Sequence, residues 1–336
     1  MDDRYSRQIL FKPIGQGGQN KIIDKHVLII GSGALGSANA EALVRSGIGT
    51  LTIIDRDYVE ASNLQRQQLF TEEDAKNQIP KAIAAKKQLV KINSSVKINA
   101  HVLDATADSL PPLLENVDVV IDATDNFDIR FIMNDLVHQF NIPWIFGSCV
   151  GSTGMSYTII PTETPCLSCL LNAAPLSGAT CDSVGIISPA VQMVVAHQIT
   201  ETLKLLVEDK SALRSRLVTF DLWNNHYQTI NVDRAKKEQC PTCGNHPTYP
   251  YLGYQSQTKT EVLCGRDTVQ IRSKRTIPLS ELATQLQKMG EIKQNDFLLS
   301  INYKSYRVVF FQDGRTFVHG TSSIETAKSV YYQLVG

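Results

Sequence analysis

Short apolar runs alternate with helix-like stretches over the first 150 residues of this 336-residue chain. His26–Ile30, Thr50–Ile54, Val96–His101, Val117–Ile121 and Pro143–Phe146 are rich in Val and Ile. Runs of that length read as strands buried on both faces. Between them, Ala38–Ser46, Pro80–Asn93 and Phe127–Phe140 read as helices, and Pro80 suits a first helical turn. The alternation predicts a largely parallel sheet with helices on both faces. Residues 1–25 are polar and hold Gly15, Gly17 and Gly18, so a loop with a short helix is expected.

After Gly151 the alternation stops. Met155–Ile160 reads as a strand, residues 172–187 as a loop of small residues, and Pro189–Val207 as a long helix. Leu217–Phe220 and Tyr227–Val232 read as a hairpin. Residues 246–259 are rich in Pro, Tyr, Gly, Gln and Thr and read as a linker. Beyond it come a strand at Glu261–Ile271, a helix at Leu279–Met289, strands at Phe297–Asn302, Tyr306–Phe311 and Arg315–Val318, and a helix at Ser323–Leu334. Asp313-Gly314 is a hairpin signal. The expected organisation is a main domain over 1–245, a linker over 246–259 and a small α+β module over 260–336.

Composition adds a sizeable core, with 43% hydrophobic residues. Lys plus Arg equals Asp plus Glu at 33 each, which argues against nucleic-acid binding driven by a global basic field. The start, Met1-Asp2-Asp3-Arg4-Tyr5, lacks an apolar signal core, and no apolar window reaches membrane-span length. A cytoplasmic protein without membrane contact is therefore expected.

Gly31-x-Gly33-x-x-Gly36 lies between a strand and a helix, with Asp55 ending the next strand. This is the Rossmann-like arrangement: glycines allow close approach to a phosphate, helix N–H groups bind it, and the acid binds ribose. Alone it suits NAD as well as ATP. Arg66, Lys81 and Asp125 shift the balance, because nucleotidyl transfer needs cations for the leaving pyrophosphate and a carboxylate for Mg2+. Each also has a plainer reading: Arg66 as a surface residue, Lys81 as a solvated helix start, Asp125-Asn126 as a helix cap. Cys166-x-x-Cys169 and Cys240-x-x-Cys243 suit tetrahedral Zn2+ in a structural role, a redox pair being the alternative. Cys181, before a helix, is a candidate nucleophile that the adjacent Asp182 opposes. Cys149 and Cys264 read as core residues, and His197 as a packed one.

Arg4-Tyr5-Ser6-Arg7-Gln8, Gly31-Ser32-Gly33-Ala34-Leu35-Gly36, Asp55-x-Asp57 and Ser62-Asn63-Leu64-Gln65-Arg66-Gln67 occur in that order. Pro80-Lys81, Asp122-Ala123-Thr124-Asp125-Asn126, both cysteine pairs and Thr180-Cys181 complete the series. Together, over about residues 4–245, they resemble the ThiF/MoeB/HesA family, bacterial relatives of ubiquitin-activating enzymes. The resemblance implies an ATP-dependent adenylyltransferase. Its substrate would be a small ubiquitin-fold sulfur-carrier protein ending in Gly-Gly, from molybdopterin or thiamine biosynthesis. A separate sulfurtransferase would follow. The implied nucleotide set is Gly31, Gly33, Ala34, Gly36, Asp55, Asp57, Ser62, Asn63, Arg66, Gln67, Lys81, Asp125 and Asn126. Within it, Asp55 would hold ribose, Asn63, Arg66 and Lys81 the phosphates, and Asp125 magnesium. Arg7 would reach the neighbouring subunit of a homodimer. Cys181 matches a position that carries a covalent link in some members and not in others. Asp74–Ile79 departs from the family pattern, and so does the C-terminal module. An NAD-dependent oxidoreductase and a non-catalytic zinc and nucleotide scaffold are the competing readings.

Overall fold

The apolar runs become five parallel strands: β1 (His26–Ile30), β2 (Thr50–Asp55), β3 (Lys97–Val102), β4 (Val119–Asp122) and β5 (Trp144–Val150). Three antiparallel strands extend the sheet: β6 (Thr153–Ile159), β7 (Arg216–Asp221) and β8 (His226–Asn231). The order is β3-β2-β1-β4-β5-β6-β7-β8. The computed structural model describes residues 3–171, 184–253, 260–262, 267–273 and 278–335. By contacts the chain divides into two units, Met1–Tyr254 and Gln255–Gly336.

Side chains alternate across each strand, so β1 serves both faces. Val27 and Ile29 pack with Leu43 and Val44 of helix α2 (Ala34–Ser46) and Leu89 of α3 (Lys81–Ile92). Leu28 and Ile30 pack on the other face with Leu136 and Val137 of α4 (Phe127–Phe140). Each such side chain contributes about 1.5–3 kcal/mol by leaving water. The long helix α5 (Ser188–Leu206) packs Val191 and Val194 against Leu35 and Phe220.

Strand order reverses between β1 and β4, so a crevice opens at their C-terminal ends. β1 runs into Gly31 and β4 ends at Asp122, which places both sequence signals at that crevice.

The N-terminal segment is more helical than expected. Ser6–Ile9 forms a short helix and Gly15–Asp24 forms α1, despite Gly17 and Gly18 within it. Tertiary packing overrides propensity here. A Cβ on Gly18 would stand 3.0 Å from Val207 Cγ1, so the glycine lets α1 approach the end of α5. Residues 246–253, read as linker, dock on the first unit. Tyr251 stacks on Phe131 at 4.6 Å, and the backbone N–H groups of Thr248 and Tyr249 donate to the Pro241 carbonyl.

The second unit has a six-stranded antiparallel sheet, and its helices are α6 (Leu279–Leu286) and α7 (Ile324–Val335). The single strand expected at Glu261–Ile271 is two antiparallel strands, Thr260–Val262 and Thr268–Arg272. Gly265 interrupts the apolar run, and glycine weakens a strand interior. An edge strand at Ile292–Gln294 is also additional. Among the described residues, no helix is long and apolar enough to cross a membrane.

Candidate nucleotide and metal sites

The glycine turn is enforced by backbone contact. Gly31 has φ +94°, and a Cβ there would stand 2.5 Å from the Ala123 carbonyl oxygen. A Cβ on Gly36 would stand 1.9 Å from the Gly31 carbonyl oxygen. Strand, turn and helix can close this tightly only with glycine at both positions. Gly33 is the N-cap of α2 and supplies no side-chain cap, so the first N–H groups of α2, including that of Ala34, point outward from the turn. A helix terminus of this kind attracts anions.

Four segments meet at the turn. Asp55, at the end of β2, accepts the Ser32 N–H at 2.5 Å and the Asp57 N–H at 2.7 Å. Burial pushes its carboxyl above the usual range, against the opposing pull of Lys81 and with the repulsion of Asp57. Lys81 opens α3, almost fully buried, with its Nζ 3.2 Å from Asp57 Oδ2. Its backbone N–H donates to the Asp57 carbonyl at 2.9 Å. The plainer reading of Lys81 as a solvated helix start is therefore wrong. Gln67 is buried, with its Nε2 3.8 Å from where a Cβ on Gly33 would lie. Ala123 rests on Gly31, bringing the Asp122–Asn126 loop alongside.

Within these segments the roles divide. Asn63 is buried and its Oδ1 accepts the Glu60 N–H at 3.1 Å, closing a capping box. Ser62 is exposed, and its carbonyl accepts from Arg66 Nη1 at 3.0 Å. Asn126 caps α4, its Oδ1 accepting from Asp128 N at 2.7 Å. Asp125 is exposed beside that cap. The Ser32 Oγ and Gln67 Oε1 atoms are buried beside the turn without a hydrogen-bond partner among the described residues. Buried polar atoms of that kind mark a place where a polar ligand fits.

Sequence reasoning passed over the frame behind the loop. Asp122 and Arg130 form a fully buried ion pair at 2.8 Å. Arg130 also donates from Nη2 to the Thr124 carbonyl at 2.6 Å and the Gly147 carbonyl at 3.0 Å. Gln198 of α5 donates to the Asp122 carbonyl at 2.7 Å and accepts from Asn39 of α2 at 2.7 Å. These residues hold β4, β5, α2 and α5 in one arrangement. Arg130 lies in the first turn of α4, eight residues beyond Asp122, and no sequence signal marks it.

Arg7 is not brought to this site. Its helix is tied through Gln8 to the Ser46 carbonyl, at the far end of α2. Thirteen residues of helix separate the two ends, about 18 Å. Arg7, Leu10 and Phe11 are exposed together there. Cys181 and Cys264 lie outside the described residues.

The four cysteines converge. Their sulfurs all lie within 4.8 Å of one another, with Cys166 to Cys240 at 3.5 Å and Cys169 to Cys243 at 3.6 Å. Four sulfurs about 2.3 Å from a tetrahedral zinc stand about 3.8 Å apart, so the set fits that ion. Backbone N–H groups of Thr242 and Cys243 point at Cys240 Sγ, each at 3.5 Å, which stabilises a thiolate there. Hydrogen bonds from Cys166 and Cys243 hold the Cys169 thiol far below its ordinary value.

Fold and site define a nucleotide-binding, doubly wound domain with a four-cysteine cluster. Comparison with known proteins agrees. The ThiF family matches residues 5–242. A sulfur carrier protein ThiS adenylyltransferase from Bacillus subtilis is 49% identical over 100% of both chains. One of the same name from Escherichia coli is 35% identical, over 74% of this chain and 97% of its own. The crystal structure of E. coli MccB with succinimide shares the fold, with a TM-score of 0.63 at 22% identity over 73% of this chain and 75% of that one. The chain belongs to the ThiF family. Membership removes the oxidoreductase reading that the glycine turn alone left open.

Proposed function

We propose that this chain uses ATP to adenylate the C-terminal carboxylate of a small ubiquitin-fold sulfur carrier ending in Gly-Gly. The observation that carries this reading is the full-length likeness to a ThiS adenylyltransferase. It favours the thiazole-pathway carrier over the small subunit of molybdopterin synthase. A sulfurtransferase then acts on the product.

The chemistry follows from the residues at the turn. The N–H groups opening α2 and the cations of Arg66 and Lys81 face the phosphates. They offset the negative charge that builds on pyrophosphate as it leaves. Asp55 accepts a ribose hydroxyl; burial raises its proton affinity, and its two N–H donors oppose that shift by favouring the carboxylate. Asp57 holds the Lys81 ammonium in place before nucleotide arrives. Asp125 would hold Mg2+, which would supply positive charge against the phosphates. A carrier carboxylate oxygen attacks the α-phosphorus, the bond to the bridging oxygen breaks, and pyrophosphate departs with that electron pair. The four cysteines would hold Zn2+ with no ligand position left for substrate, which makes the ion structural. Arg7 lies at the wrong end of α2 to serve its own site. It acts on the site of a second copy, and the exposed Leu10 and Phe11 beside it supply apolar surface for that homodimer.

Carrier-dependent ATP–pyrophosphate exchange tests this reading. Exchange with the thiazole-pathway carrier, and none with that carrier shortened by its last glycine, is expected. No exchange with any Gly-Gly carrier from the same genome sinks it.

A further inference from the structure

Asn134 and Asp135 are adjacent on α4, and both are completely buried. Each grips the middle of one cysteine pair. Asn134 Oδ1 accepts the Leu167 N–H at 2.8 Å, and its Nδ2 donates to Ser168 Oγ at 3.2 Å. Leu167 and Ser168 are the two residues between Cys166 and Cys169. Asp135 Oδ1 accepts the Thr242 hydroxyl at 2.6 Å, between Cys240 and Cys243, and Oδ2 accepts the Tyr251 N–H at 2.8 Å. The two pairs come from distant parts of the chain, so nothing local sets their separation. One rigid helix holds both.

We infer that Asn134 and Asp135 are positioning residues for the zinc tetrad: they hold the two knuckles at metal-binding separation and so control how fast the ion escapes. Neither touches a sulfur. They act through the residues between the ligands, as partners behind a first coordination sphere do, where a lost contact costs about 10–100-fold in metal affinity. A buried carboxylate is expensive without donors, and here one donor is Thr242, between Cys240 and Cys243, and the other the Tyr251 N–H beyond them. Asp135 therefore loses its Thr242 hydrogen bond if that knuckle lifts away, which opposes opening. The same helix begins at the Asn126 cap and carries Arg130, so the staple and the Asp125 loop share one rigid element.

The inference rests on the zinc reading, and the test separates the two. Zinc content of the full-length chain is measured first, then zinc release to a chromogenic chelator well below the melting temperature. One zinc per chain is expected. Asp135→Leu and Asn134→Leu should each release it about tenfold faster or more. Asp135→Asn should stay within about threefold of the parent. An amide accepts from Tyr251 and donates to Thr242, whose hydroxyl can reverse its role. That rescue, with an unchanged visible spectrum of the cobalt-loaded Asp135→Asn chain, is what a general loss of stability does not give. If a leucine variant fails to fold, Thr242→Val and Ser168→Ala remove the contacts from the knuckle side and should also speed release. Parent-like release from folded leucine variants, or from both knuckle-side variants, overturns the inference while leaving the zinc site standing. A parent without bound zinc overturns both.

Discussion

Lys81 shows what a single position decides. A surface lysine at a helix start is replaceable, whereas this one is buried against Asp57 beside Asp55. Lys81→Ala should lower carrier-dependent exchange by about 100-fold or more, because a preorganised charge facing the leaving group is lost. Exchange within about threefold of the parent would remove Lys81 from the site. Arg130→Met tests the frame instead. It leaves Asp122 buried without its ion-pair partner, and urea unfolding should show a loss of about 3–5 kcal/mol. The glycines, Asp55 and the cysteines were legible because their chemistry is tied to residue type and spacing. Arg130 and Gln198 were not, since nothing in a sequence distinguishes a buried, hydrogen-bonded polar side chain from an exposed one. Asn63 and Asn126 were expected as site residues, and their side-chain oxygens serve backbone caps.

At the scale of elements, the parallel strands were readable because short Val- and Ile-rich runs covered on both faces have few alternatives. The N-terminal helix was not. Its glycines depress helix propensity, and what stabilises it, contact with Val207 at the end of α5, is remote in sequence. The two kinds of glycine can be told apart by experiment. Gly17 lies in α1 with nothing within 4 Å of an added Cβ, so Gly17→Ala should stabilise by up to about 1 kcal/mol. Gly36→Ala drives a methyl group into the Gly31 carbonyl. It should cost about 2 kcal/mol or more and weaken ATP binding, read by melting temperature and calorimetry. Equal effects of the two changes would contradict the close-contact account of the turn.

For the whole molecule, the chain divides into a ThiF-family unit and a second unit with an antiparallel sheet. The Bacillus subtilis likeness spans the full length, whereas the Escherichia coli protein of the same name is nearly covered by 74% of this chain. Stability should also depend on pH. Burial lowers the proton affinity of His26, His101 and His197 below the ordinary 6.5. As pH falls, the unfolded chain takes up protons first, so folding free energy is lost. The melting temperature should fall steadily from about pH 7 to about pH 5.5, and a flat profile would contradict the partial burial of these histidines. Adenylation of the carrier carboxylate is read by mass spectrometry of the carrier after incubation with this chain, ATP and Mg2+. A carrier heavier by one adenylyl group at its terminal glycine is expected, and that mass should be lost when the chain carries Lys81→Ala. An unmodified carrier, from a folded and nucleotide-bound protein, would overturn the proposed adenylation.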